Sequence, residues 1–293
     1  MYDGIKLFLE WVGYFFIAYL IGYSTFLFLS VVVGSLELYK HRRQEMLKSI
    51  LPSDYYLPIS IIVPAYNEEA AILNTIADLK QNCPQADYVV VNDCSRDRTR
   101  EELRANGANY LDLPVNLGIG GGVQCGYQYA VHNGYDVTVQ MDGDGQHDPA
   151  YLMEVVQPVL DGTYDMCIGS RFIKKEGFQT SFMRRVGIRF LSWLIHLLCG
   201  KRVLDVTSGF RACNARMTAY FARHYAIDYP EPEAILAASL AGFSVGEAPV
   251  IMKERQGGVS SIHSFKSAYY MIKVSLALII DRFSIHKVKG GKA

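Results

Sequence analysis

Val137–Pro149, VTVQMDGDGQHDP, is the stretch on which the reading of this chain turns. An apolar run carried by Val137, Val139 and Met141 stops abruptly, and Asp142, Asp144 and Gln146 follow at alternate positions, separated by Gly143 and Gly145. The run predicts a buried strand. In an extended backbone, side chains two apart share a face, so three oxygen-bearing groups are expected to converge on one spot. Carboxylate and amide oxygens suit a hard divalent ion such as Mg²⁺ or Mn²⁺, whose remaining positions substrate phosphates complete. Asp148-Pro149 reads as an N-cap followed by a first-turn proline. An acidic surface turn is the alternative for an isolated D-G-D. A strand feeding straight into the loop favours a site, because ligands of open α/β sheets bind at the carboxyl ends of strands.

Outward from that stretch, the pattern repeats. Ile59–Val63 and Tyr88–Val91 are continuous β-branched runs of the kind buried on both faces of a parallel sheet, and Tyr110–Leu113 and Asp165–Ser170 are further short strands. Helical stretches are expected to Gln81, over Asp97–Asn106, to about Asn133 after the glycine run Gly118–Gly122, and between the last two strands. Five alternations of strand and helix predict an α/β fold, a doubly wound and mostly parallel sheet flanked by helices. Four strands end in polar loops on one rim: Asn67 with Glu68, Asp93, Asn116 with its glycines, and the Asp142–Gln146 cluster. The glycine run matches neither G-x-G-x-x-G nor a P-loop, and by itself reads as a structural turn.

Charge is balanced, with 29 Lys plus Arg against 29 Asp plus Glu, which gives no sign of nucleic-acid binding. Six cysteines without C-x-x-C or metal-ligand spacing point to reduced thiols, not zinc or a disulfide framework. The histidines, His147 among them, show no ligand spacing and read as structural or solvated.

No charged residue interrupts Trp11–Leu36. At about 1.5 Å per residue that run exceeds the roughly 30 Å hydrocarbon core of a bilayer. Lys40, Arg42, Arg43 and Lys48 follow it, so the positive-inside bias puts the remainder of the chain in the cytoplasm. The expected organisation is a transmembrane anchor with a basic junction (1–43), a linker (44–58), the α/β domain (59–262) and a C-terminal interfacial helix with a basic tail (263–293).

Taken in order, Val63-Pro-Ala-Tyr-Asn-Glu68, Val91-Asn-Asp-Cys-Ser95, Asn116-Leu-Gly118, Asp142-Gly-Asp-Gly-Gln146, Gly169-Ser-Arg171, Asp205-Val-Thr-Ser-Gly-Phe-Arg211 and Glu254-Arg-Gln-Gly-Gly-Val-Ser-Ser261 resemble the inverting family-two glycosyltransferases of the GT-A fold. The branch they are most similar to is the polyprenyl-phosphate sugar synthases. That resemblance implies that Pro64, Tyr66, Glu68, Asp93, Asn116 and Gly118 hold the nucleotide, with Asp142 near the ribose or metal. Asp144 and Gln146 would hold the metal on the donor diphosphate, and Arg171 and Arg255 would meet phosphates. The Q-x-x-R-W motif of processive synthases is absent, whereas the amino-terminal span and its YKHRR junction look more like those membrane synthases.

Phe182–Leu198 combines an apolar body with Arg184, Arg185 and Arg189, a pattern for a helix in the bilayer interface or for a packed helix with solvated arginines. The family pattern gives Arg189 the acceptor phosphate. Phe265–Ile280 is also apolar but short for a span, and reads as interfacial or re-entrant. Asp205 is a candidate for positioning or accepting a proton, with a structural carboxylate before the Thr207-Ser208-Gly209 turn as the other reading. Glu233 is a candidate sugar contact, or a cap of the helix Ala234–Ala241. The expected activity is transfer of one sugar from a nucleoside diphosphate, with UDP-glucose or UDP-N-acetylglucosamine favoured, to polyprenyl phosphate at the cytosolic face of the cell membrane. A different membrane acceptor, a growing glycan, or a non-catalytic nucleotide-sugar-binding scaffold are the alternatives, and homo-oligomerisation stays open.

Overall fold

The structure, a computed structural model, describes residues 2–49, 58–174, 176–177, 182–253 and 264–288. The chain divides into two compact units, residues 1–55 and 56–293. The first is a single helix, α1 (Tyr2–Ser49), whose Lys6–Val31 stretch is long and apolar enough to cross a membrane and buries none of its side chains. The helix continues to Ser49, into the segment expected to be a linker, because no proline or glycine interrupts Ser35–Ser49.

The second unit is a seven-stranded sheet in the order β3-β2-β1-β4-β6-β5-β7. Strands β1 (Ile59–Ala65), β2 (Asp87–Asn92), β3 (Tyr110–Asp112) and β4 (Val137–Gln140) are parallel neighbours, as are β5 (Met166–Ser170) and β7 (Val245–Pro249). Strand β6 (Arg211–Asn214) runs antiparallel between β4 and β5. The five expected strands are present; β6 and β7 carry no apolar run and were not expected.

Alternation along each strand divides the core. Ile62, Val89, Val91 and Ile168 face one side, packed with Tyr127, Leu191, Phe221, Leu236 and Val274 from helices α4 (Gly118–His132), α6 (Phe182–Cys199), α7 (Ala215–Phe221), α8 (Pro230–Leu240) and α9 (Ser264–Val288). Ile61, Val63, Val90 and Val139 face the other, against Leu79, Leu103 and Val156 from α2 (Ile72–Asn82), α3 (Thr99–Ala105) and α5 (Leu152–Leu160). At about 25 cal/mol per Å² of apolar surface removed from water, these two layers are what hold the sheet together. Asp148 accepts from the Ala150 N–H with Pro149 next to it, the expected cap and first-turn proline.

The glycine run is a helix start and not a turn. Gly118 opens α4, and a Cβ added at Gly120 would lie 2.0 Å from the Ala226 carbonyl oxygen. Glycine's low helix propensity is outweighed there by a backbone-to-backbone approach that any side chain would block. Helix α9 spans 25 residues, longer than its apolar stretch, and packs on α6 and α8, with Met271 against Gly187.

Candidate active site

The carboxyl ends of β1, β2 and β4 surround a cavity of about 680 Å³. Its lining brings together Pro64, Tyr66, Glu68, Asp93, Asn116, Gly118, Asp142 and Asp144, eight residues singled out from widely separated motifs. The loops after β1 and β2 are stitched to each other. Asn67, in the left-handed region at φ 57°, donates its N–H to Ser95 Oγ and accepts from Arg96 N–H, while Glu68 N–H donates to Thr99 Oγ1. Asp93 is buried, and its carboxylate accepts the Leu117 N–H at 2.7 Å, where the positive end of α4 begins. Asn116 binds the Asp93 carbonyl and accepts from Gly118 N–H.

The loop after β4 is not extended. Gly145 adopts φ 75°, and the Asp144 carboxylate, 3% exposed, turns back to accept the Gln146 N–H at 3.0 Å. Alternate side chains therefore do not share one face. Asp142 and Asp144 still line the cavity, but Gln146 does not. Among the described residues no group of three or more His, Cys, Asp or Glu forms a metal cage. Two carboxylates beside a diphosphate-sized cavity fit a Mg²⁺ or Mn²⁺ that takes its other ligands from substrate and water.

Arg171 and Asp205 are placed elsewhere than expected. Both are buried, and the guanidinium grips the carboxylate through Nε–Oδ2 and Nη2–Oδ1, each at 2.7 Å. Arg171 N–H and Thr207 Oγ1 add further bonds, and Glu247 accepts the Leu204 and Asp205 N–H groups. With its oxygens engaged by the fold, Asp205 fits the structural-carboxylate reading, tying β5 to the 204–209 loop, and Arg171 is its partner; neither residue lines the cavity. Arg255 lies outside the described residues. Arg189 is exposed on α6 and does not line the cavity.

Glu233 is half-buried near Asp281, Asp228 and Glu231; burial first, then those like charges, push its carboxyl up to about 7. It does not line the cavity, and it lies in the first turn of α8, which begins at Pro230, so it is not that helix's cap.

Three further buried or shielded residues connect these elements. Arg211 is fully buried; its Nε donates to the Ser208 carbonyl and its Nη2 to the Glu231 carbonyl. Glu231 is mostly shielded, and desolvation raises its carboxyl, opposed by Arg211 and Arg184 and reinforced by Asp142. Its carboxyl thus feels the charges of Arg211, of Asp142 and of Arg184, the last in the first turn of α6. His147, also buried, accepts the Asp142 N–H. In the sequence, Glu231 lies in Tyr229-Pro-Glu-Pro-Glu233, a stretch whose two prolines suggest a rigid loop and which resembles the place where inverting relatives carry an acidic pair.

Residues 60–219 match the family described as glycosyl transferase family 2. The UDP-N-acetylglucosamine–dolichyl-phosphate N-acetylglucosaminyltransferase of Methanococcus voltae is 29% identical over 76% of this chain and 98% of its own. The polyprenol monophosphomannose synthase of Mycolicibacterium smegmatis is 28% identical over 73% of this chain and 84% of its own. The glucosyl-3-phosphoglycerate synthase of Mycobacterium tuberculosis, solved with Mn²⁺, UDP and glucosyl-3-phosphoglycerate, superposes with a TM-score of 0.56 at 19% identity, covering 76% of this chain and 79% of that one. Those coordinates share the GT-A fold with this one. The matched domain takes up more than half of the sequence and contains every residue that lines the cavity, so the chain belongs to glycosyl transferase family 2 and is a glycosyltransferase.

Proposed function

We propose that this enzyme moves a single sugar, glucose or N-acetylglucosamine, from its UDP conjugate to a polyprenyl phosphate at the cytosolic face of a membrane, with inversion. The observation that carries the reading is the single cavity at the carboxyl ends of β1, β2 and β4, whose lining joins Tyr66, Glu68, Asp93 and Asn116 to Asp142 and Asp144. Support for a lipid acceptor comes from the names of the two relatives and from the outer faces of two packed helices. On α6, Phe182, Met183, Phe190, Trp193 and Leu197 are exposed; on α9, Ile272, Leu276, Ile280 and Phe283 are exposed. Apolar surface of that extent, edged by Arg184, Arg185 and Arg189, suits a bilayer interface with the arginines at headgroup depth.

In this reading Tyr66, Glu68, Asp93 and Asn116 hold the uridine, and Asp142 and Asp144 face the diphosphate. A divalent cation bound by those two carboxylates supplies charge neutralisation to the departing diphosphate. Arg255 meets the same group by family resemblance. Arg184 and Arg189 orient the acceptor phosphate, since an arginine fork matches a phosphate monoester. One phosphate oxygen attacks the anomeric carbon from the face opposite the leaving group; the new C–O bond forms as the bond to the UDP oxygen breaks. The acceptor is already an anion near neutral pH, so alignment and charge stabilisation dominate and no strong base is required.

Radiolabelled UDP-glucose and UDP-N-acetylglucosamine, each incubated with the full chain in detergent, Mn²⁺ and undecaprenyl phosphate, test this. Labelled polyprenyl-phosphate sugar is the expected product. Donor turnover that labels only a different lipid or a glycan, with none on the polyprenyl phosphate, would refute it.

A further inference from the structure

His147 is 6% exposed, one residue beyond the acidic loop, and makes contacts that a filler side chain would not make. Its Nδ1 accepts the Asp142 N–H at 3.0 Å, so the ring proton resides on Nε2, which stands 3.8 Å from Asp142 Oδ2. The ring stacks on Phe210, centroids 5.3 Å apart and planes 22° from parallel. Phe210 in turn follows Gly209, whose Cα abuts the same carboxylate: a Cβ there would lie 2.7 Å from both Asp142 oxygens. On its other side the His147 backbone bridges to Met252, and Lys253 N–H donates to the Gln146 carbonyl while its Nζ pairs with Asp148 at 3.4 Å.

The imidazole therefore closes a loop upon itself. Strand β4 ends at Gln140, two residues before Asp142, and beyond Met141 the ladder no longer dictates the backbone. The Asp142 N–H, freed from the sheet, is instead taken by a ring anchored in the core. That bond sets the Asp142 backbone, and with it the direction of the carboxylate, between the His147 edge and the Gly209 backbone.

We propose that His147 is a positioning residue: by accepting the Asp142 N–H through Nδ1 it holds that carboxylate in the orientation a divalent cation requires. The inference rests on the assignment of Asp142 and Asp144 to the cation. Outer partners that orient a metal ligand are worth about 10–100-fold in metal affinity.

Two amide variants separate the role from simple packing. In H147N the side-chain oxygen stands where Nδ1 stood; in H147Q the amide reaches the Nε2 position and leaves Nδ1 without a substitute. Both forfeit the Phe210 stack. Mn²⁺ affinity of the full chain in detergent with UDP present is read from the free-ion electron paramagnetic resonance signal, alongside the Tm without metal. H147N is expected within about threefold of the parent and H147Q weaker by about 10-fold or more, with similar metal-free Tm. Parental Mn²⁺ affinity in H147Q, or equal losses in the two variants, overturns the proposal and leaves His147 a packing residue. Absence of Mn²⁺ binding by the parent overturns the cation assignment itself, and this proposal with it.

Discussion

The Arg171 guanidinium and the Asp205 carboxylate, 34 residues apart in sequence, meet in a buried two-bond fork, both N–O distances 2.7 Å. Removing one partner strands the other charge away from water. D205A is expected to lose about 3–5 kcal/mol of stability, whereas the apolar double replacement R171M/D205L recovers most of it. Denaturant unfolding in detergent checks this; a D205A protein as stable as the parent would mean the fork is not formed in solution.

Of the two carboxylates on the loop after β4, Asp144 is the deeper. D144A should retain the fold and lower sugar transfer by about two orders of magnitude or more, with loss of the Tm increase that Mn²⁺ plus UDP gives the parent. A bound ligand stabilises only the state it binds, so an unchanged ligand-induced Tm shift would remove Asp144 from the donor site.

The backbone of Gly209 leaves no room for a methyl beside Asp142. Because the carboxylate is the movable party, G209A should turn it aside rather than unfold the chain. The expected outcome is a donor KM raised about tenfold, the size of effect seen when a ligand's support is disturbed, with a Tm within a few degrees of the parent. Initial rates against donor concentration measure it.

Glu233 has its carboxyl raised from 4.5 to about 7 by burial and by Asp281, Asp228 and Glu231. A carboxyl whose folded pKa exceeds its unfolded one binds more protons when folded, so its contribution is fully present below the unfolded value. It declines as pH rises through 4.5 to about 7. Stability should therefore fall across that window in the parent and be flatter in E233Q. A parallel pH dependence in both proteins would show that another group is responsible.

The chain has two tryptophans, Trp11 in α1 and Trp193 on the exposed face of α6. In a W11F protein reconstituted into vesicles, Trp193 emission should be quenched most by lipids brominated near the headgroup end of the acyl chain. Insensitivity to every bromine depth would separate α6 from the bilayer.

Much of this fold was legible because parallel strands buried on both faces are rich in apolar β-branched residues, as Ile59–Val63, broken only by Ser60, and Val89–Val91 are. Strand β6 escaped notice because its sequence, RACN, begins with an arginine, and only the tertiary burial of Arg211 between Ser208 and Glu231 makes that tolerable. Strand β7, VGEAP, has too few β-formers to announce itself. The cavity residues were legible as motifs at strand ends. What pattern could not give was direction: that Gly145 folds Asp144 inward and that Arg171 is spoken for by Asp205. Each depends on a contact between residues far apart in sequence or on one left-handed dihedral.

The naked seat of Gly120 on Ala226 and Ile227 means that α4 and the chain leading to Glu231 share one seam with nothing between them. Even a methyl at that seam would wedge the two walls apart, so the position leaves evolution a single residue to choose, and a nudge at either wall is transmitted to the other at contact distance.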